Sequence, residues 1–309
     1  GLVPRFFAGE SVKRTFDVFN DSTGENELVL TWSLAGTETK GSESLTLPPA
    51  GYRAVEVTLR MPTVGAPKDF AFEWTLAAKG QPVHRGSQAV RVYPRRPLQS
   101  PAGVQVLVFD PRQEWSRTAE AEGLQSARLA ALADLAKADP RSDLLVVGPG
   151  AFERGEQKQG IPRVGEDTPG VSKLLGFLTQ GGRALVLEQT TYEGIPLGVS
   201  LVDHASTLTF PQAGDHPVLT GFGKDDFKFW RGDNYVTRRE ILRPISGGIK
   251  PLLVSGGEHS LDQSPLMEVP AGAGTALLMQ TLVGAKLDSE PAARQLLQNA
   301  LAYLASRAP

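Results

Sequence analysis

The sequence predicts two domains of different class in one chain, an all-β sandwich followed by an α/β domain built on a parallel sheet. Three observations carry this. Residues 1–96 hold only period-two alternation between turn clusters, residues 103–309 switch to apolar runs separated by helical spacing, and a proline-rich bridge, 97–102, stands between. A length of 309 residues suits two domains, and 40% hydrophobic with 21% charged residues is an ordinary globular composition.

In the first domain Val12, Arg14, Phe16 and Val18 alternate with Lys13, Thr15 and Asp17, and the run stops at the turn cluster Asn20-Asp21-Ser22-Thr23-Gly24. Leu28, Leu30, Trp32 and Leu34 form the next inward row. Leu45 and Leu47 follow, then Pro48-Pro49-Ala50-Gly51. Val55, Val57 and Leu59 make another row, Phe70, Phe72, Trp74 and Leu76 another, and Val90 with Val92 the last. With Phe6-Phe7 at the start, this is a set of about seven short strands without helical period, the pattern of an immunoglobulin-like or fibronectin-like sandwich. Trp32 and Trp74 fall on inward rows and are expected in the core. The bridge Pro94-Arg95-Arg96-Pro97-Leu98-Gln99-Ser100-Pro101 is expected to be stiff and extended.

In the second domain Val104, Val106, Val108 and Phe109 read as a buried strand ending at Asp110-Pro111. Leu124, Ala127, Ala131, Leu132 and Leu135 recur at helical spacing and predict a helix over roughly 117–138. Leu144-Leu145-Val146-Val147 is a second buried strand, closed by Gly148-Pro149-Gly150. Thr168 as N-cap with Pro169 opens a helix through Leu178 that stops at Gly181-Gly182, and Ala184-Leu185-Val186-Leu187 is a third strand. Apolar strands alternating with helices predict a parallel sheet covered on both faces. Residues 189–250 are less regular. Strands near 251–255 and 275–282 precede a final amphipathic helix opened by Ser289 with Pro291, whose apolar stripe runs from Ala293 to Leu304.

The charge balance narrows the function classes. The net charge is 32 − 34 = −2; up to Ser100 there are 12 basic and 10 acidic residues, and from Pro101 on 20 and 24. Neither part has the basic excess of a nucleic-acid or anionic-membrane binder. No apolar run approaches the about 18 residues of a membrane-spanning helix. The absence of cysteine excludes disulfides, thiolate metal sites, iron–sulfur clusters and cysteine nucleophiles. The chain opens Gly1-Leu2-Val3-Pro4-Arg5, without methionine or visible signal peptide, as expected of a fragment of a longer polypeptide.

Several short stretches carry a resemblance. Arg5-Phe6-Phe7-Ala8-Gly9-Glu10 with Phe16-Asp17-Val18-Phe19-Asn20-Asp21 resembles the start of the immunoglobulin-like domains that follow the catalytic barrel in family 2 type, β-galactosidase-like glycoside hydrolases. His216-Pro217-Val218-Leu219-Thr220-Gly221, Asp225-Asp226 and Trp230, with the ending Glu290-Pro291-Ala292-Ala293 through Leu301, resemble the class I amidotransferase-like domain appended to many bacterial glycosidases, similar to the trimerisation domain of family 42 β-galactosidases. The resemblance implies a flavodoxin/amidotransferase-like second domain and a non-catalytic accessory or oligomerising role. Its implied partners are a catalytic domain of the same polypeptide or another subunit, a second copy of the chain, and a polysaccharide. No cofactor is expected, and the charge balance and the lack of a long apolar run imply no nucleic acid and no membrane as partners. The resemblance also implies an exported protein, secreted, periplasmic or on the cell surface, whereas the composition fits the cytoplasm as well. The sequence departs from active amidotransferases, which use a cysteine after a central strand: the matching stretch reads Leu185-Val186-Leu187-Glu188-Gln189-Thr190.

Three loops are expected to meet beyond the carboxyl ends of the strands, where open α/β sheets hold ligands: Asp110–Trp115, Gly148–Phe152 and Glu188–Tyr192. Trp115, Glu188, Tyr192 and Trp230 are the candidate ligand-binding residues, offering a carboxylate and aromatic faces suited to sugars. Each aromatic also has a structural reading as a buried anchor, since indoles and phenols bring large apolar area. Glu188 with His204 or His216 is a candidate hydrolytic pair, but no Gly-x-Ser-x-Gly elbow accompanies it. His84, His204, His216 and His259 lack metal-ligand spacing. The pairs Gly247-Gly248 and Gly256-Gly257, and Gly272-Ala273-Gly274, read as turns rather than phosphate loops. Arg231-Gly232-Asp233 matches an integrin-binding tripeptide, a three-residue match that arises by chance.

Overall fold

The computed structural model describes residues 2–152, 170–195, 197–244, 248–258 and 260–307. Thr168 with Pro169, Gly247 and His259 lie outside the described residues. The chain divides into two compact units, Gly1–Arg96 and Pro97–Pro309. The described residues are mostly β-structure, with three α-helices.

The first unit is a β-sandwich of seven strands: β1 (Arg5–Phe7), β2 (Ser11–Phe19), β3 (Asn26–Leu34), β4 (Lys40–Leu47), β5 (Tyr52–Arg60), β6 (Lys68–Ala78) and β7 (Gln81–Tyr93). One sheet has the order β1-β7-β6-β3-β4 and is faced by the pair β2-β5. The inward rows read from the alternation are those that fill the core, with Leu28, Leu30 and Leu34 of β3 packed among Val55, Val57 and Leu59 of β5 and Phe72, Val90 and Val92. Asn20 ties two turns together. Its buried side-chain amide donates to the carbonyls of Gly24, Leu47 and Pro48 at 2.9, 2.9 and 3.0 Å. Trp32 and Trp74 pair across β3 and β6. Both keep part of their surface open while packing on the core. Each indole lies over a glycine on the neighbouring strand: a Cβ at Gly41 would stand 2.3 Å from the Trp32 ring and one at Gly86 2.2 Å from the Trp74 ring. The missing side chains make room for the rings, and the rings cover the glycine backbone.

The second unit begins within the bridge. Leu98 is buried, its N–H donates to Glu122 at 2.7 Å, and Gln99 exchanges hydrogen bonds of 2.8 and 3.0 Å with Gln298. The elements are β8 (Gln105–Phe109), α1 (Glu114–Ala121), β9 (Ala127–Arg128), β10 (Asp143–Val147), α2 (Val171–Thr179), β11 (Arg183–Val186), β12 (Leu201–Val202), β13 (Phe210–Pro211), β14 (Glu240–Leu242), β15 (Lys250–Ser255), β16 (Gln263–Ala271), β17 (Gly274–Met279) and α3 (Pro291–Ser306).

The helix expected over 117–138 is instead a short helix, a strand and a turn. Chain reversal after α1 needs Gly123, whose φ of +109° lies in the left-handed region and whose absent Cβ would meet Pro97 at 2.9 Å. Beyond it β9 pairs with β8, and a 3₁₀ turn, Leu132–Lys137, buries Leu132 and Leu135. The apolar spacing was satisfied by separate short segments, of which Leu132 and Leu135, with Ala127 against them, join the core beside α2.

The sheet runs β12-β14-β16-β17-β11-β10-β8-β9. Strands β9, β8, β10, β11 and β17 are mutually parallel. Numbered along the chain, these five stand in the order 2-1-3-4-5. From β17 outward the pairing turns antiparallel through β16, with β14 and β15 beside it. The sheet is therefore mixed rather than wholly parallel. Strand β16 escaped the sequence reading because Pro265 and Pro270 interrupt it, and proline argues against a central strand. On one face Leu145, Val147, Ala184, Val186, Ala276 and Leu278 pack with Leu174, Phe177 and Leu178 of α2. The opposite residues Leu144, Val146, Leu185 and Leu277 are buried too, so both faces are covered.

Helix α3 is capped by Glu290, whose carboxylate accepts from Ala292 N–H at 3.1 Å, and not by Ser289. Its last turn is held by Glu268 of β16, which accepts from Tyr303 Oη at 2.6 Å, Arg307 Nη2 at 3.0 Å and His216 Nε2 at 3.4 Å. Burial opposes the charge of Glu268, but the Tyr303 hydrogen bond, the Arg307 charge and the His216 contact outweigh it and hold the carboxyl below its ordinary range.

Two outcomes are expected. Gly86→Ala drives a methyl into the Trp74 ring and lowers stability by about 1–3 kcal/mol, read as a reduced urea midpoint. Tyr303→Phe leaves Glu268 short of a buried donor and costs about 1.5–3 kcal/mol in the same measurement.

Candidate functional site

The order 2-1-3-4-5 places a switch point between β8 and β10, where the connections from neighbouring strands leave in opposite directions. A cleft of about 270 Å³ opens there, lined by Asp110, Arg112, Glu114, Trp115, Thr118, Pro149, Glu188, Leu282, Gly284 and Ala285. Asp110 follows β8, Pro149 follows β10, Glu188 follows β11 and Leu282 follows β17, so four parallel strands end at this site. The three loops expected to converge do converge.

Asp110 sets the near wall. Its Oδ2 accepts from Ser116 N–H at 2.8 Å, capping the first turn of α1 and turning Trp115 inward. This approach requires Gly148, since a Cβ there would lie 2.8 Å from Asp110 Cβ and Cγ. Gln189 stitches the floor: its amide accepts from Phe152 N–H at 2.9 Å and donates to Gly148 O at 2.8 Å, while its own N–H donates to Gln280 Oε1 at 3.0 Å.

Glu188 is the central charged group. Its Oε1 accepts from Gly284 N–H at 2.7 Å and Ala285 N–H at 3.4 Å. Its Oε2 is buried without a hydrogen-bond partner. Burial raises the carboxyl to about 7, against the pull of the backbone amides of Gly284 and Ala285. Gly284 is needed for this closeness, because a Cβ would stand 2.5 Å from Pro149 Cγ and 2.8 Å from Glu188 Oε2.

The candidate aromatics separate. Trp115 lines the cleft, but only 4% of its surface is open and its Nε1 is buried without a partner. Tyr192 lies outside the cleft lining, buried edge-on against Phe152 with ring centroids 6.1 Å apart. Burial pushes its phenol upward, with Gln280 opposing and the Glu188 charge adding to the rise. Trp230 is fully enclosed and donates its Nε1–H to Asp226 O at 2.9 Å, so it is an anchor in the interior. No exposed aromatic platform is formed by Trp115, Tyr192 and Trp230.

The proposed pairing of Glu188 with a histidine is not made. His204 Nδ1 meets Glu240 at 2.9 Å, His216 meets Glu268, and Glu188 meets backbone amides. His216 Nδ1 accepts from Val218 N–H at 3.3 Å, which leaves the proton on Nε2 facing Glu268, and burial lowers its basicity. Among the described residues no three His, Asp or Glu side chains gather as a metal site. Asp233 of the Arg-Gly-Asp tripeptide is taken up by Lys286 Nζ at 2.6 Å. The sequence reading missed Leu282, Gly284, Ala285 and Thr118. The turn after β17 was findable, because it follows the carboxyl end of a buried strand as the other loops do.

No family model and no curated protein matches the chain. Solved structures similar over part of it include exo-β-1,4-mannosidase Op5Man5 of Opitutaceae bacterium strain TAV5, at 15% identity and a TM-score of 0.36 over 65% of this chain and 35% of that one. Exo-chitosanase CsxA of Amycolatopsis orientalis is similar at 13% identity and a TM-score of 0.23, over 58% of this chain and 20% of that one. SSP-19 of Caenorhabditis elegans, an MSP-domain-like protein, is similar at 14% identity and a TM-score of 0.20, over 29% of this chain and 94% of that one. The chain thus spans a minor part of each glycoside hydrolase. Similarity at this level assigns no family.

The Glu188 carboxyl gives a pH test. Its folded value lies above the ordinary 4.5, so the folded chain holds the proton more tightly than the unfolded chain, and stability falls as pH rises from about 4.5 through about 7. Glu188→Gln cannot ionise. Its urea midpoint is expected to change less between pH 5 and pH 8 than that of the unaltered chain.

Proposed function

We propose that this chain is a non-catalytic accessory region of a carbohydrate-active enzyme, of the kind that follows the catalytic barrel in family 2 type glycoside hydrolases. The observation that carries the non-catalytic part is the state of Glu188. The Glu188 carboxylate in the cleft lining spends one oxygen on the Gly284 and Ala285 amides, and among the described residues its hydrogen-bond partners include no histidine, serine or second carboxylate. Hydrolysis of a glycoside ordinarily needs two cooperating carboxyl groups across the substrate, and amide hydrolysis of the amidotransferase type needs the cysteine this chain lacks. The strand order 2-1-3-4-5 is that of flavodoxin-type sheets and supports the amidotransferase-like reading of the second unit. In this role the partners are a catalytic domain of the same polypeptide or another subunit and a second copy of the chain, and the compartment is outside the cytoplasm.

A second reading has its own support: the 270 Å³ cleft, with carboxylates, a guanidinium, a hydroxyl and apolar side chains on its walls, is suited to binding a carbohydrate without turning it over.

Chromogenic glycosides and esters incubated with the chain are expected to release chromophore at the buffer rate, in the unaltered protein and in Glu188→Gln alike. Turnover above that rate that Glu188→Gln abolishes overturns the accessory reading. Light scattering across a concentration series is expected to show self-association, and a strict monomer at the highest concentration counts against the oligomerising role.

A further inference from the structure

We propose that the cleft beyond β8, β10 and β11 holds an uncharged, hydroxyl-bearing ligand the size of one sugar ring, clamped between the Trp115 indole N–H and the Glu188 carboxyl. The proposal rests on the second reading above, that the cleft takes a carbohydrate, and adds which chemistry selects it.

Two of the residues that line the cleft carry polar atoms the fold leaves unpaired, Trp115 Nε1 and Glu188 Oε2. Buried polar atoms are nearly always hydrogen-bonded, so two orphans on one cleft call for an explanation. The indole N–H can only donate, and the Glu188 carboxyl has a lone pair to accept with whether or not it carries its proton. A hydroxyl group does both, accepting from Trp115 and donating to Glu188. Charge narrows the class. Asp110 and Glu114 disfavour an anion, and Arg112 in the same lining disfavours a cation. The volume, at the small end of ligand pockets, suits a single ring, and Pro149 and Leu282 offer apolar surface to its C–H face. Both orphan atoms are buried from solvent. Seating a hydroxyl requires a small side-chain movement, whose cost the recovered hydrogen bonds offset.

The test follows the indole N–H signals of the ¹⁵N-labelled full chain by NMR while glucose, galactose, mannose or glycerol is added. The chain has four tryptophans, and the Trp115 signal is expected to shift while those of Trp32, Trp74 and Trp230 stay. Trp115→Phe keeps a ring and removes the donor, and Glu188→Leu removes the acceptor; each is expected to weaken binding at least tenfold. The shift in the unaltered protein decides the matter should either variant fail to fold. Glucuronate or glucosamine binding more tightly than glucose, or a bound sugar that leaves the Trp115 signal unmoved, overturns the proposal and leaves the carbohydrate-binding reading standing. No shift of any signal with any of these compounds overturns both.

Discussion

The second unit depends on one constraint: the central strands β10, β11 and β17 are buried on both faces. Residues such as Leu144 through Val147 must then be apolar without interruption, and their backbone groups must pair with neighbouring strands. Polar chemistry has no place within such a strand and collects where it ends. Asp110, Glu188, Gln189 and Gln280 all stand at or just beyond carboxyl ends, and the cleft is the space their loops enclose. The close spacing of these ends in turn demands glycine at 148 and 284, where a side chain would strike Asp110, Pro149 or Glu188.

The same constraint explains why Glu188 is unusual. A carboxylate at the end of a doubly covered strand is drawn into a low-dielectric setting, which favours its neutral form. Two backbone amides accompany one oxygen and nothing accompanies the other. By contrast Glu268, also enclosed, is surrounded by Tyr303, Arg307 and His216 and stays charged. One acid is a clamp for the final helix; the other keeps an unmet capacity in the lining of the cleft. This difference in satisfaction, rather than burial alone, distinguishes Glu188 from Glu268.

The first unit is held by a different arrangement. A five-stranded sheet faces a pair of strands, and in strands such as β5 the alternation of residues divides core from surface. Where the large indoles of Trp32 and Trp74 fall on inward rows, glycines on the adjoining strands receive them. Volume is conserved by pairing the largest residue with the smallest across the ladder.

What the amino-acid sequence determined by itself was whatever depends on local period and composition. The alternating rows of the sandwich, the apolar runs of β8, β10 and β11, the final helix and the exclusion of cysteine chemistry follow from residue identity alone. So did the position of the cleft, because loops after buried strands have a known destination. Tertiary structure decided the rest. The spacing of Leu124, Ala127, Leu132 and Leu135 satisfies a helix and also a succession of short segments, and only the packing around Gly123 chooses. The antiparallel half of the sheet was hidden because the prolines of β16 are tolerated by its neighbours, not by its own propensity. And the partners of Glu188, His204 and His216 lie far away along the chain, so which acid meets an amide and which meets an imidazole is settled by the fold, through contacts that no local pattern encodes.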